Sequence, residues 1–139
     1  MDERFHKLGL LLKRMERLKA AAADRALAPL ELSMSLWAVL RQIATSEAPS
    51  ANAMASAVFM TPQAFGELVQ KLLKLGMIRK KSNIGRAIQY ELTDKGRERF
   101  TEGDALVGAV LANLFSPLND EEKDRFGDFL ARVVENMRE

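Results

Sequence analysis

The segment MASAVFMTPQAFGELVQKLLKLGMI, residues 54–78, carries the strongest structural signal in the chain. Thr61 followed by Pro62 predicts a helix start, because threonine accepts from first-turn amides and proline loses nothing at the first helical position. Apolar residues then recur at helical spacing, and Gly76 follows as a candidate left-handed C-cap. A short helix is predicted just before it, over 51–59. The segment therefore predicts a helix-turn-helix.

The residues after Gly76 change from a helical period to a period of two, which is typical of strands. Two strand-like runs cover 77–81 and 87–92, and residues 82–86 (SNIGR) join them as a turn. This pattern predicts a β-hairpin. Thr93 then caps a further helix that begins at Asp94 and ends before Ser116-Pro117.

Long amphipathic helices are predicted at both ends of the chain, the first ending before Pro29 and the last beginning at Asn119. The fold is therefore predicted to be mainly α with a small β-hairpin wing: a winged helix-turn-helix with long N- and C-terminal helices. We expect one domain over 1–139, in which 30–100 form the winged helix-turn-helix DNA-binding part and 1–28 and 101–139 are dimerisation helices.

The apolar stripes of the terminal helices are longer than a domain of this size can easily bury, so a two-fold partner is expected. Packing of the first helix against the last within one chain is the alternative. The predicted homodimer interface consists of Phe5, Leu8, Leu12, Phe126, Phe129, Leu130, Val133, Val134 and Met137.

The composition excludes several function classes. The chain has no cysteine and one histidine, His6, so disulfides, thiolate nucleophiles, a metal site and a Ser-His-Asp triad are not expected. It has no Gly-rich phosphate loop and no nucleophile paired with a base, which argues against an enzyme. No apolar run is long enough for a membrane span and the amino terminus is charged. We expect a cytoplasmic protein without cofactor, metal or membrane partner.

Positive charge is concentrated in one part of the sequence. Between Lys71 and Arg99 there are nine bases and three acids, a net charge of +6, although the whole chain carries only +2. Such a stretch favours binding to a polyanion, because neutralised phosphates release condensed counterions. A solvated charged face is the alternative interpretation.

Three segments resemble the multiple-antibiotic-resistance repressor (MarR) family of transcription regulators. LSMSLWAVLRQI (32–43) is similar to the family's second helix, residues 54–78 to its helix-turn-helix, and ELTDKGRERF (91–100) to the "LT-x-x-G" motif that ends the wing. The resemblance implies a triangular homodimer whose two winged parts straddle a pseudo-palindromic site on double-stranded DNA. It also implies a pocket for a small aromatic or anionic effector.

In a winged helix, the helix after Thr61 enters the major groove and the hairpin lies beside it. Gln63 and Gln70 suit adenine edges, Glu67 suits a cytosine amino group, and Lys71 and Lys74 suit phosphates. The full set of predicted DNA-binding residues is Thr61, Gln63, Ala64, Glu67, Gln70, Lys71, Lys74, Arg79, Lys80, Lys81, Ser82, Asn83 and Arg86. The resemblance places Arg86 at the wing position whose guanidinium enters a narrow minor groove. Lys95, Arg97 and Arg99 are interpreted as a solvated helix face.

Three residues depart from the family pattern. Ile84 stands where an aspartate would brace the wing arginine, while Gly66 and Glu67 stand in the predicted recognition helix. They favour the alternative function, a winged-helix protein-interaction module with weak or no DNA binding.

The effector pocket implied by the resemblance has no motif of its own. Phe5, Arg14, Met34 and Trp37 are compatible with lining it, and plain core packing is the alternative for its apolar members.

Overall fold

A computed structural model of the chain describes residues 1–47, 50–81 and 88–138. Its elements follow the predicted order: α1 (Glu3–Leu27), a short 3-10 turn (Ala28–Leu30), α2 (Met34–Thr45), α3 (Ala51–Ala57), α4 (Pro62–Lys74), β1 (Ile78–Lys80), β2 (Tyr90–Leu92), α5 (Asp94–Leu114) and α6 (Asp120–Asn136). The mainly α fold with a small β-hairpin wing is confirmed.

Polar caps set the starts of the helices. The hydroxyl of Ser33 accepts from the first turn of α2, and that of Thr61 accepts from the N–H of Ala64 at 3.1 Å. At α6, Asn119 and Glu122 form a reciprocal capping box. Each cap satisfies an amide that has no partner within its own helix, so the sequence fixes these boundaries locally.

Three elements are shorter than predicted. The prediction that α3 extends to Phe59 is wrong, because Phe59 adopts a left-handed φ of +59° and ends the helical path. β1 and β2 contain only three residues each, in an antiparallel register that pairs Ile78 with Leu92 and Lys80 with Tyr90. The predicted turn and the preceding part of the second strand, residues 82–87, lie outside the described residues.

The core lies where α4 packs on α2. Phe65 and Leu72 of α4, Leu40 of α2 and Leu27 at the end of α1 are completely or almost completely buried. A carboxylate oxygen of Asp24 in α1 accepts from the N–H of Met34 at 2.8 Å and so joins α1 to the start of α2. Helix α4 is therefore attached through α2 to α1.

The terminal helices leave apolar residues exposed in the single chain. Phe5 in α1 is 66% exposed and Val134 in α6 is 66% exposed. No residue of α6, all of which the structure describes, is buried. None of the described helices is long and apolar enough to cross a membrane.

Candidate nucleic-acid interface

Helix α4 has two distinct faces. Phe65, Val69 and Leu72 are buried against the core. Gln63, Glu67, Gln70 and Lys74, which follow one another at intervals of three and four, are exposed on the opposite side, and Lys71 is exposed beside them. The predicted outward residues of this helix thus share one surface, apart from Ala64, which is partly buried.

The amino end of α4 is also open to solvent. Thr61 and Pro62 are exposed, and the helix carries its basic residues, Lys71 and Lys74, in the last turn. In its first turn Pro62 has no N–H and the N–H of Ala64 is bonded to Thr61, so the helix presents polar side chains at its exposed start and cations at its end. That distribution suits a helix whose amino end approaches a polyanion and whose sides meet base edges.

The turn after α4 is held by the start of α5. The hydroxyl of Thr93 donates to the carbonyl of Gly76 at 2.5 Å, and the N–H of Thr93 donates to the carbonyl of Met77 at 3.0 Å. The ammonium of Lys95 donates to the carbonyl of Leu75 at 2.8 Å. Three consecutive carbonyls therefore accept from two residues of one helix start, which fixes the carboxyl end of α4.

Gly96 allows this approach. A Cβ at this position would lie 1.8 Å from the carbonyl oxygen of Met77, so only glycine fits. Thr93 also accepts from the N–H of Gly96 at 3.0 Å and caps α5. The residues of the LT-x-x-G segment, Leu92, Thr93 and Gly96, thus serve to join the wing, the helix α5 and the end of α4.

The prediction of a solvated face for Lys95, Arg97 and Arg99 is wrong in part. Arg97 is exposed and pairs within its own helix with Asp94 at 3.5 Å. Lys95 is partly buried between the carbonyl of Leu75 and the carboxylate of Glu31, and Arg99 is partly buried as well. The α-helical periodicity of α5 turns these side chains toward different neighbours.

The described part of the wing carries exposed cations. Lys80 and Lys81 are exposed, and Arg79 forms a cross-strand ion pair with Glu91 at 3.0 Å. Ser82, Asn83 and Arg86, the other predicted wing contacts, lie outside the described residues, as does Ile84. Neutralisation by Glu91 makes Arg79 a weaker phosphate partner than its two neighbours.

Sequence reasoning missed Phe59, which precedes α4. This residue combines a left-handed φ of +59° with a side chain that is 97% exposed. Left-handed backbone is costly for a residue with a Cβ, and an exposed phenyl ring gains nothing from burial. The FMTP sequence signals the turn but gives no signal for the backbone conformation.

The four predicted effector residues do not meet within one chain. Met34 and Trp37 lie on α2 and pack against the core, whereas Phe5 is exposed near the start of α1. Arg14 lines a largely apolar cavity of about 400 Å³ between α1 and the α5–α6 turn, together with residues such as Phe115. The guanidinium of Arg41 lies 5.6 Å from the ring centroid of Trp37.

Metal ligation has no candidate in the described ranges, where no group of three or more His, Asp or Glu side chains converges. The surface described above consists of exposed cations, glutamine side chains and a capped helix start. Such a surface can bind an anionic polymer through charge and hydrogen bonds.

The chain is similar in sequence and in fold to known proteins. The chain is 31% identical over 128 residues to the HTH-type transcriptional repressor Rv2887 of Mycobacterium tuberculosis, an alignment that covers 91% of this chain and 92% of that protein. No protein-family model matches the chain.

Solved structures agree. A crystal structure of the M. tuberculosis MarR family protein Rv2887 in complex with DNA matches with a TM-score of 0.71 at 26% identity and covers 91% of this chain and 96% of that one. The same protein in complex with p-aminosalicylic acid gives a TM-score of 0.72 at 27% identity, over 91% and 97% of the two chains. A MarR-family regulator from Rhodococcus sp. RHA1 shares the fold, with a TM-score of 0.81 at 22% identity over 92% and 94%.

Proposed function

The chain belongs to the MarR family of winged helix-turn-helix transcription regulators, and on that premise we propose that it represses transcription as a homodimer bound to a pseudo-palindromic duplex site. Helix α4 of each protomer enters the major groove and each wing enters the adjacent minor groove. The protein acts in the cytoplasm by binding alone, without a catalytic step.

The observation that carries this proposal is the polar stripe of α4. Gln63 and Gln70 can pair with adenine edges, and Glu67 can accept from a cytosine amino group. Lys71 and Lys74 lie at the end of the stripe, where they suit phosphates. Because the opposite face of α4 is buried in the core, this surface is held rigidly and is the only face of the helix that can meet DNA.

The wing supplies a second, less specific contact. Lys80 and Lys81 are exposed and suit phosphates, and Arg86 is the residue proposed for the minor groove, with Ser82 and Asn83 beside it. A guanidinium is attracted to A·T-rich minor grooves because narrowing strengthens their negative potential. We therefore propose A·T-rich sequence next to each half-site.

The dimer follows from the exposed apolar residues of α1 and α6. Phe5, Leu8 and Leu12 of α1 are about half exposed or more, and so are Phe129, Val133 and Val134 of α6 and its C-cap residue Met137. Exposed apolar area of this extent along two helices favours association with a second copy. A two-fold axis would also place two α4 helices at neighbouring turns of the same duplex face.

We propose a small aromatic acid as effector, since the related protein Rv2887 forms complexes with salicylic acid and p-aminosalicylic acid. Arg14 in the apolar cavity of α1 is the proposed carboxylate partner, because a guanidinium binds carboxylates in two-point geometry. Met34, Trp37 and Phe5 of one protomer are proposed as further lining in the dimer. Release of DNA would follow from preferential binding of the effector to a conformer whose α4 spacing misfits the operator.

The decisive experiment is a titration of random-sequence duplex at several salt concentrations. The logarithm of the affinity should fall with the logarithm of the salt concentration, by about 0.9 per phosphate neutralised. Arg86→Ala should lower the slope and weaken binding most on A·T-rich duplex. Lys123→Ala, which removes a cation from α6, should change neither quantity. Absence of duplex binding would contradict the proposal and favour the protein-interaction module.

A further inference from the structure

Among the described residues at the start of α5, Lys95 is the cation that contacts two other elements: the end of α4 and the junction between α1 and α2. Its ammonium lies 2.8 Å from the carbonyl oxygen of Leu75, the C-cap residue of α4, and 3.2 Å from a carboxylate oxygen of Glu31. The last carbonyls of a helix lack partners within that helix. A cation near them also interacts favourably with the negative end of the helix dipole. Lys95 therefore completes the carboxyl end of the recognition helix.

Glu31 connects this contact to the amino-terminal helix. It lies directly after the 3-10 turn that follows α1, between the buried residues Leu30 and Leu32, and its φ is +63°. A residue with a Cβ keeps a left-handed conformation only where its surroundings hold it. The backbone of Glu31 is therefore held at the α1–α2 junction, and its half-exposed side chain extends from that junction to Lys95.

We propose that Lys95 is a positioning residue of DNA binding, which ties the carboxyl end of α4 to the α1–α2 junction through Glu31. The inference rests on the proposed function, because α1 belongs to the proposed dimerisation helices and α4 to the proposed DNA contact. In the dimer, this tie makes the direction of each recognition helix depend on the position of its own α1. Loss of the contacts of Lys95 with Leu75 and Glu31 should leave the protein folded. The orientation of the two α4 helices relative to each other should then be less well defined.

A direct contact of Lys95 with phosphate is the competing role, and the two roles predict opposite effects of Glu31. If Lys95 bound phosphate, removing the Glu31 charge would free the ammonium and remove a repulsive carboxylate, so DNA binding would tighten. If Lys95 positions α4, removing that charge loosens the tie and DNA binding weakens. The sign of the change therefore separates the two roles.

The experiment compares Lys95→Met, Glu31→Gln, the double variant and Lys95→Arg with the wild type. The control is Arg97→Met, because Arg97 lies two residues after Lys95 in α5 and, among the described residues, its only ion pair is with Asp94 in the same helix. The probes are a duplex selected from a random-sequence pool by the wild-type protein and random duplex for the salt dependence. Thermal unfolding of each variant verifies that it is folded.

We expect Lys95→Met to weaken binding to the selected duplex about five- to tenfold, because each half-exposed tie contributes modestly and the dimer contains two. The salt slope should stay at the wild-type value. Glu31→Gln should weaken binding in the same direction, and the double variant should lose no more than Lys95→Met alone. Lys95→Arg, which keeps the donors and the charge, and Arg97→Met should bind like the wild type.

Two results would overturn the inference while leaving the proposed function intact. One is a lower salt slope for Lys95→Met with tighter binding by Glu31→Gln, which would make Lys95 a phosphate contact. The other is unchanged binding by both variants. A wild-type protein that binds no duplex would overturn the proposed function and this inference with it.

Discussion

The two turns that flank the recognition helix α4 are built in opposite ways. At the carboxyl end, the carbonyls of Leu75, Gly76 and Met77 each accept a hydrogen bond from Thr93 or Lys95. At the amino end, Phe59 has a left-handed backbone and a side chain that is 97% exposed. One turn is thus fixed by hydrogen bonds from α5, whereas the other is held by short-range hydrogen bonds, the cap at Thr61 and the packing of Val58 and Met60 against the core.

The difference has a functional reason. The amino end of a recognition helix has to enter the groove, so no other element of the protein can cover it. The carboxyl end lies away from the bases and can be attached to the rest of the protein. The helix is therefore oriented from its carboxyl end, and substitutions there should have larger effects on stability than substitutions at the open end.

The largest effect is expected for Gly96→Ala. The added Cβ would lie 1.8 Å from the carbonyl oxygen of Met77, so the α5 start would have to move away from the end of α4. We expect the free energy of unfolding to fall by about 3 kcal/mol or more, measured by urea unfolding. Gly108→Ala is the control, because a Cβ there meets no atom within 4 Å. An unchanged stability of Gly96→Ala would contradict the close approach.

A smaller loss is expected for Thr93→Val. The substitution keeps the shape of the side chain but removes the cap of α5 and the hydrogen bond to Gly76. The free energy of unfolding should fall by about 2 kcal/mol. Thr101→Val, at an exposed position within α5, should change it little. Equal effects of the two substitutions would show that the Thr93 hydroxyl does not hold the turn.

The smallest effect, with the opposite sign, is expected at the open turn. Phe59→Gly removes the penalty of a Cβ in left-handed backbone and should raise the free energy of unfolding by about 1 kcal/mol. Phe59→Ala keeps the Cβ and should not show this gain. Thermal unfolding of both variants measures the change in stability. A lower stability of Phe59→Gly would contradict the prediction and would mean that the ring makes contacts outside the single chain.

The features that the sequence predicted correctly are those with local causes. The caps at Thr61 and Thr93 each bind an amide three residues further along the chain, and Gly76 adopts the expected left-handed φ of +73°. Periodicity of apolar residues identified the buried face of α4 for the same reason. These signals need no knowledge of the rest of the chain.

The features that the sequence did not predict depend on residues far apart in the chain. Lys95 was interpreted as solvated because its partners, Leu75 and Glu31, lie 20 and 64 positions earlier. The early end of α3 at Ala57 depends on the backbone of Phe59, for which the sequence carries no signal. The cross-strand pairing of Arg79 with Glu91 required the register of the hairpin.

The sequence by itself determined the helix starts, the hairpin, the capped recognition helix and the cationic character of the segment that contains it, because caps, periodicity and charge act over a few neighbouring residues. Only the tertiary structure decided how the carboxyl end of α4 is held. The end of α4 is held by the close approach of Gly96 to Met77 and by the ion pair of Lys95 with Glu31. The sequence could not predict these contacts, because residues so far apart in the chain come together only when the core packs.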